Sequence, residues 1–120
     1  MSMSQGRETD SSVKIDVSNI KTIALRTGSE VDAVIINGVR YGGTGGSVTR
    51  VMNIPPGAII FRVSGRAGSR IDYLRFVLNL GDMVEGGGDG GHEFAYDCPG
   101  GLKTMTIYYS DSRVCGIKLD

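Results

Sequence analysis

An internal repeat of about 40 residues is the feature that most constrains how this chain folds. At residues 22–36, 59–76 and 104–119, an alternating β-like run enters a short polar loop and continues as a second β-like run. Asp32 and Asp72 end the first two loops. A repeat of this length supplies one small sheet per copy, and a polar loop repeated on a repeated scaffold indicates a repeated binding site.

The distribution of glycine supports an all-β fold. The chain has 19 glycines in 120 residues, and they fall between the β-like runs, where tight turns are needed. Asn37-Gly38 follows a β-branched run and predicts a hairpin. Residues 73–80 fit a short helix as well as a strand, but eight residues favour a strand buried on both faces. We therefore predict ten to twelve strands in a sandwich or closed, barrel-like domain, with one small sheet per repeat.

Composition narrows the classes of partner. Thirteen basic and thirteen acidic residues cancel, which favours a neutral partner over nucleic acid or anionic lipid. No stretch approaches eighteen apolar residues, so no membrane span is expected. Residues 1–12 are polar and aperiodic, and we predict a disordered tail there and a single folded domain at 13–120. If Met1 is the native start, the absence of a signal sequence predicts a cytoplasmic protein, with export by another route as the alternative.

The reactive side chains are few. Cys98 and Cys115 are too few for a disulfide framework, so we expect two free thiols, although the sequence leaves their pairing open. His92 is the single histidine and forms no metal-binding motif. The glycine cluster at 42–46 lacks the Lys-Ser/Thr of a phosphate-binding loop. We expect no metal, no cofactor and no catalysis.

Four segments, taken in order, resemble the jacalin-related lectins. They are residues 26–39, the glycine cluster 42–46, the loop 68–72 and the segment 79–91. The resemblance runs from about residue 23 to the C-terminus. It implies a β-prism I fold of three four-stranded antiparallel sheets with pseudo-threefold symmetry and loops gathered at one end. It also implies binding of mannose- or glucose-type sugars on glycans or glycoproteins.

The resemblance also implies particular site residues. In that family, backbone N–H groups of the loop and its aspartate contact O5, O6 and O4 of the sugar, and the last glycine of a neighbouring cluster approaches O3. The carboxylate accepts charge-assisted hydrogen bonds from two hydroxyls, and glycine lets the backbone come close to the ligand. Carried onto this chain, the first site is Ser29, Glu30, Asp32 and Gly46, and the second is Ser69, Arg70, Asp72 and Gly91.

Two departures from the family pattern change the expected function. The third loop ends in Cys115, and its N-terminal partner segment has only Gly6, so we predict that a third site is lost. Related loops carry tyrosine where this chain has Glu30 and Arg70, so an apolar platform is missing. We therefore expect weaker or differently selective binding at the two remaining sites.

Other interpretations stay open at this point. The two loop aspartates are also typical turn-stabilising residues, and the glycine clusters are also typical hairpin connections. The main functional alternative is a β-prism that serves as a protein-interaction or assembly module. A hydrolase is disfavoured, because symmetry separates Asp32 from Asp72, whereas glycosidase carboxylates lie roughly 5–10 Å apart. For a lectin, avidity comes from two sites per chain or from a homodimer.

Overall fold

Three antiparallel sheets make up the domain in the computed structural model, which describes residues 2–120. Thirteen strands are present among these residues. They are β1 (Met3–Gly6), β2 (Ser12–Asp16), β3 (Thr22–Thr27), β4 (Val31–Ile36), β5 (Val39–Gly42), β6 (Ser47–Val48), β7 (Met52–Asn53), β8 (Ile60–Ala67), β9 (Ile71–Leu78), β10 (Met83–Gly87), β11 (His92–Asp97), β12 (Thr104–Tyr109) and β13 (Val114–Leu119). A 3-10 turn at Val17–Asn19 follows β2.

Each sequence repeat forms the central hairpin of one sheet. The first sheet has the order β5-β4-β3, with β6 and β7 both pairing with β3. The second has the order β10-β9-β8-β11, and the third β1-β13-β12-β2. The prediction of three four-stranded sheets is confirmed, with the fourth strand of the first sheet divided into two short pieces. Residues 73–80 lie mostly in β9, so the strand interpretation is also confirmed.

The prediction of a disordered tail at residues 1–12 is wrong for residues 2–12, which are folded. Met1 lies outside the described residues. Met3–Gly6 forms β1 and pairs with β13, and Ser12 begins β2, which pairs with β12. An edge strand is stabilised by its backbone hydrogen bonds and needs few apolar side chains, so its sequence resembles a polar tail. The folded domain therefore includes the N-terminal segment and does not begin at residue 13.

The core lies where the three sheets meet. The strands β4, β9 and β13 each contact the other two, which places one central strand of every sheet at the pseudo-threefold axis. Inward residues alternate along β12 and along residues 74–78 of β9, as the period of two requires, whereas β13 begins with four consecutive buried residues. Fully buried examples are Leu25 and Val34 in the first sheet, Leu74 and Phe76 in the second, and Ile107 and Ile117 in the third. Each contributes about 1.5–3 kcal/mol by leaving water.

Two smaller predictions also agree with the structure. Asn37 and Gly38 have φ of 52° and 81° and connect β4 to β5, which is the predicted hairpin. Cys98 and Cys115 are free and buried, as expected for two unpaired thiols. Among residues 2–120, no helix has the length and apolar character needed to cross a membrane.

Candidate functional site

A β-bulge places the last residue of each repeated loop. In the β3–β4 hairpin the pairing steps from Ala33 to Val31, which leaves Asp32 as the extra residue. The same register shift makes Asp72 the extra residue in the β8–β9 hairpin and Cys115 the extra residue in the β12–β13 hairpin. A bulge leaves its extra residue outside the ladder and re-aims its side chain. These three positions are therefore structurally equivalent, as the repeat predicted.

The carboxylate of Asp32 rests directly on glycine backbone. A Cβ atom on Gly45 would lie 3.0 Å from Oδ1, and one on Gly46 would lie 2.7 Å from Oδ2. Gly46 also has φ of +66°, which other residues rarely adopt. The structure thus brings together the predicted pair of Asp32 and Gly46, and any side chain on this glycine pair would push the carboxylate away.

The second loop repeats this contact. A Cβ atom on Gly90 would lie 2.7 Å from Oδ1 of Asp72, and one on Gly91 would lie 2.7 Å from Oδ2. Gly91 has φ of +69°, close to the value at Gly46. The predicted pair of Asp72 and Gly91 is therefore also brought together in the structure.

An arginine fixes each glycine pair, and the sequence interpretation missed both of these arginines. Arg26 donates through Nε and Nη2 to the carbonyl oxygens of residues 45 and 46, at 3.0 and 3.2 Å. Arg66 donates in the same way to the carbonyl oxygens of residues 90 and 91, at 3.0 Å each. Such two-pronged bonds fix orientation as well as distance. The signal was available, because an arginine stands two positions before Gly-Ser in both loops.

The third loop has the same backbone and different chemistry. Arg7 N–H donates to the Cys115 carbonyl at 3.0 Å, and equivalent bonds of 2.8 Å reach the carbonyls of Asp32 and Asp72. By register, Tyr108 stands in the arginine position, and Thr9 and Asp10 replace the glycine pair. The Cys115 side chain is 0% exposed. The third loop therefore lacks the carboxylate, the arginine and the glycines together.

Each of the first two loops is closed by its own backbone hydrogen bond, and loops of neighbouring repeats pack against one another. The loop holding Ser29 is closed by a 3.0 Å bond from Gly28 N–H to the Glu30 carbonyl. An equivalent 3.0 Å bond closes the loop that contains Ser69. A Cβ atom on Gly88 would lie only 2.1 Å from the Ser29 carbonyl oxygen. The glycine segment of the second repeat therefore packs against the first loop, and the loops of different repeats lie at the same end of the domain.

Glu30 ties the three loops together. Its Oε2 lies 2.9 Å from Nη1 of Arg70 in the second loop, and its Oε1 lies 2.9 Å from Nε of Arg113 in the third. The Arg70 contact is a hydrogen bond, whereas the Arg113 contact is an ion pair without hydrogen-bond geometry. The Glu30 side chain is 17% exposed. The side chains of Glu30 and Arg70 are thus engaged with each other, so the first and second loops are joined by a charge-assisted hydrogen bond.

The two loop aspartates have different electrostatic surroundings. Burial raises the pKa of Asp32, and repulsion from Glu30 raises it further, while Arg26 and Arg113 oppose the shift. Asp72 instead has Arg70 as the charged residue of its own loop, and the charge of Asp72 contributes to raising the pKa of Arg70. The two bulge carboxylates therefore share a geometry but not a charge environment.

Three small sheets whose central strands meet at one axis, with loops at one end, define a β-prism protein. The chain is similar to griffithsin from Griffithsia sp. (strain Q66D336), with 37% identity over 75 residues. That alignment covers 62% of this chain and 62% of griffithsin. No protein-family model matches the chain.

Solved lectin structures have the same fold over nearly the whole chain. Malaysian banana lectin superimposes with a TM-score of 0.84 at 19% identity, covering 99% of this chain and 95% of that chain. AcmJRL, a mannose-binding jacalin-related lectin from Ananas comosus, has a TM-score of 0.78 at 16% identity, covering 99% and 94%. With griffithsin, these similarities confirm the predicted resemblance to jacalin-related lectins.

Proposed function

We propose that this protein is a carbohydrate-binding lectin with two sites for mannose- or glucose-type sugars, one at Asp32 and one at Asp72. The observation that carries the proposal is the threefold comparison of the bulges. Two of them combine a carboxylate, a glycine pair and an arginine that fixes the pair, and the third has none of these. The similarity to griffithsin and to mannose-binding structures supports this function.

The proposed chemistry of each site is hydrogen bonding to a neutral sugar. The bulge carboxylate accepts from two adjacent hydroxyls, and backbone N–H groups of the closed loop donate to the ring side of the sugar. The first loop supplies Ser29 and Glu30 for this purpose, and the second supplies Ser69 and Arg70. Because the loop and the glycine pair are already fixed, binding orders few groups, which lowers its entropic cost.

The glycine pairs give the sugar access to the carboxylate. Gly46 and Gly91 have no side chain above the oxygen atoms that they contact. A ligand hydroxyl therefore reaches both the aspartate and the glycine backbone from the open side. Cys115 offers no comparable site, because a buried neutral thiol is a weak acceptor.

Useful affinity for a glycan requires more than one site. A single sugar competes with water for every hydrogen bond, so each site alone is expected to bind weakly. Two sites on one chain raise the effective concentration of a second glycan arm, and a homodimer would raise it further. Branched mannose-type glycans and glycoproteins are therefore the proposed partners.

The test is the double substitution Asp32→Ala with Asp72→Ala. We expect the variant to fold normally and to lose retention on a mannosylated matrix, because both acceptor carboxylates are gone. The matched control is Asp111→Ala, which removes an exposed aspartate from the third loop. Undiminished retention by the double variant would contradict the assignment of both sites.

The ion cluster of Glu30, Arg70 and Arg113 favours a second candidate function. Charged side chains occupy the centre of the loop end, and an assembly module that binds a protein partner would use such a surface. A glycan array without hits, together with a discrete partner recovered in a pull-down, would favour this candidate over the lectin.

A further inference from the structure

The outer face of the second sheet contains a cavity of about 860 Å³. Its shape follows from the strand register. Arg75, Ser64 and Ala95 stand side by side on β9, β8 and β11, so two short side chains form the floor. Longer side chains surround them and form the rim, namely Arg62, Arg66, Tyr73, Arg75 and Glu93.

Charge balance shows which kind of ligand suits this cavity. Each of its three arginines is paired with a carboxylate, at distances of 2.7 to 3.3 Å. These pairs are Arg62–Asp97, Arg66–Glu93 and Arg75–Glu85. Glu93 lines the cavity, as does a fourth carboxylate, that of Asp89. Because four carboxylates accompany three guanidinium groups, an anion gains no net attraction, whereas a neutral polyhydroxyl ligand finds donors and acceptors side by side.

The rim is also fixed before any ligand arrives. Arg75 donates to Oε1 of Glu85 through Nε at 3.0 Å and Nη2 at 2.7 Å, and the Tyr73 hydroxyl donates to the same oxygen. This network holds the Tyr73 ring at the cavity wall. An ordered aromatic ring beside satisfied polar groups gives apolar contact and orientation at a low entropic cost.

The cavity and the proposed Asp72 site share one wall. Gly87, Gly88 and Asp89 line the cavity, and the next two residues of the same segment contact the Asp72 carboxylate. Arg66 belongs to both, because it lines the cavity and bonds to the carbonyls of that glycine pair. A ligand held at Asp72 would therefore adjoin the cavity wall that Gly87, Gly88 and Asp89 form.

The corresponding faces of the other two sheets are built differently. The positions of Ser64 and Arg75 are taken by Ala24 and Ile35 in the first sheet. In the third sheet they are taken by Thr106 and Lys118. The polar, charge-paired floor and rim are thus specific to the second sheet.

We propose that this cavity is an extension subsite that binds the outer units of a neutral oligosaccharide whose mannose-type unit is held at Asp72. The inference rests on the proposed function and deepens it, because it makes the two sites unequal. The Asp72 site binds several linked sugar units, and the Asp32 site binds a single terminal sugar.

Single-site variants test the subsite. Asp32→Ala leaves only the Asp72 site, and Asp72→Ala leaves only the Asp32 site. Calorimetric titration with methyl α-mannoside and with mannotriose is expected to show a gain of roughly tenfold for mannotriose in Asp32→Ala, equal to about 1.4 kcal/mol. In Asp72→Ala the two ligands should bind with nearly equal affinity per site.

A further substitution locates the gain. Ser64→Leu, placed in the Asp32→Ala background, fills the cavity floor and is expected to abolish the mannotriose gain while leaving methyl α-mannoside binding unchanged. Thr106→Leu at the equivalent position of the third sheet is the matched control and should change neither affinity. The backbone amide signals of Ser64 and Ala95 should shift on addition of mannotriose and not of the monosaccharide.

The outcomes distinguish a failure of the subsite from a failure of the Asp72 site. Binding of methyl α-mannoside by Asp32→Ala without a mannotriose gain, or a gain that survives Ser64→Leu, would overturn the subsite and leave the proposed function intact. Failure of Asp32→Ala to bind either ligand would overturn the Asp72 site itself, and the subsite with it.

Discussion

The loops that end in Asp32 and Cys115 share a backbone arrangement but differ in the residues that surround the bulge. In both, a bulge residue leaves the ladder, and its carbonyl accepts a backbone N–H from the residue that follows the adjacent strand, at 2.8 Å for Asp32 and 3.0 Å for Cys115. Asp32 has an arginine and two glycines beside it, whereas the equivalent register positions in the third repeat are Tyr108, Thr9 and Asp10. The scaffold is therefore separable from the chemistry that it carries.

The difference has a simple physical basis. The bulge depends on backbone hydrogen bonds, which tolerate many side chains, whereas a close-lying carboxylate requires glycines beneath it. Glycine costs conformational entropy on folding, so it is favourable only where that close approach is needed. Where the thiol of Cys115 replaces the carboxylate, nothing requires a glycine pair or an arginine to hold it.

Placing a carboxylate in the third loop should not create a binding site and should destabilise the fold. This loss of stability is the largest effect that we expect. Cys115→Asp places a charge at a position that is 0% exposed, has no arginine in the place equivalent to Arg26 and has only the Glu30-paired Arg70 as a nearby cation. Burying a carboxylate is costly, and Arg70 offsets only part of that cost because it is already paired with Glu30, so we expect the free energy of unfolding to fall by on the order of 3 kcal/mol. Denaturant unfolding measures this change.

The control for that substitution is Cys115→Ser, which has a similar size and no charge. In the Asp32→Ala, Asp72→Ala background, Cys115→Asp should not restore retention on a mannosylated matrix. A variant as stable as Cys115→Ser that also recovers sugar binding would show that the carboxylate alone makes a site.

The glycine pairs offer a second way to test the contrast. Gly91→Ala places a Cβ atom 2.5 Å from backbone carbon of Ala67 and 2.7 Å from the Asp72 carboxylate, in a residue with φ of +69°. We expect a loss of about 2–4 kcal/mol in the free energy of unfolding, together with loss of binding at the second site. The two readouts are denaturant unfolding and titration with methyl α-mannoside in the Asp32→Ala background.

Gly81→Ala separates backbone strain from the close contact. Gly81 also has a positive φ, of +96°, but a Cβ atom there meets nothing within 4 Å. This variant should lose only about 1–2 kcal/mol from the strained backbone and keep its sugar binding. Equal losses in the two variants would mean that the close contacts of Gly91 with Ala67 and Asp72 have no structural importance.

The fold was largely predictable from sequence, and the exceptions have physical reasons. Alternation and turn residues located the three central hairpins, because those strands bury one face and are bounded by glycine or Asn-Gly. The strand β1 was not predicted, because an edge strand with Met3 and Gln5 half-buried has too little apolar pattern to distinguish it from a tail.

The candidate site was predictable in part. The two aspartates stand at the same place in the Gly-Ser-x-x-Asp loops, each loop is followed by a glycine cluster, and the family resemblance paired each aspartate with its glycine. Arg26 and Arg66 were missed because they donate to backbone carbonyls of segments that begin 19 and 24 residues further along the chain. The Glu30 cluster was missed because it joins three loops whose proximity exists only after folding.

The smallest expected effect concerns the unequal surroundings of the two carboxylates. Burial and Glu30 raise the pKa of Asp32 above its ordinary value of 3.8. Between 3.8 and the raised value, the folded protein binds more protons at this group than the unfolded chain does. The contribution of Asp32 to the free energy of unfolding therefore decreases as pH rises through this window and stays unfavourable at neutral pH.

Asp32→Asn should consequently raise the melting temperature slightly at pH 7, and this increase should disappear below pH 3.8. The substitution also removes one acceptor oxygen from the first site. Asp111→Asn, an exposed change in the third loop, is the control and should leave the melting temperature unchanged at both pH values. In Asp72→Ala, sugar binding should begin to weaken on acidification at a pH above 3.8, because Asp32 is the acceptor that remains. A lower melting temperature for Asp32→Asn at pH 7 would show that the carboxylate stabilises the fold, and would favour a turn-stabilising role over a site held ready for ligand.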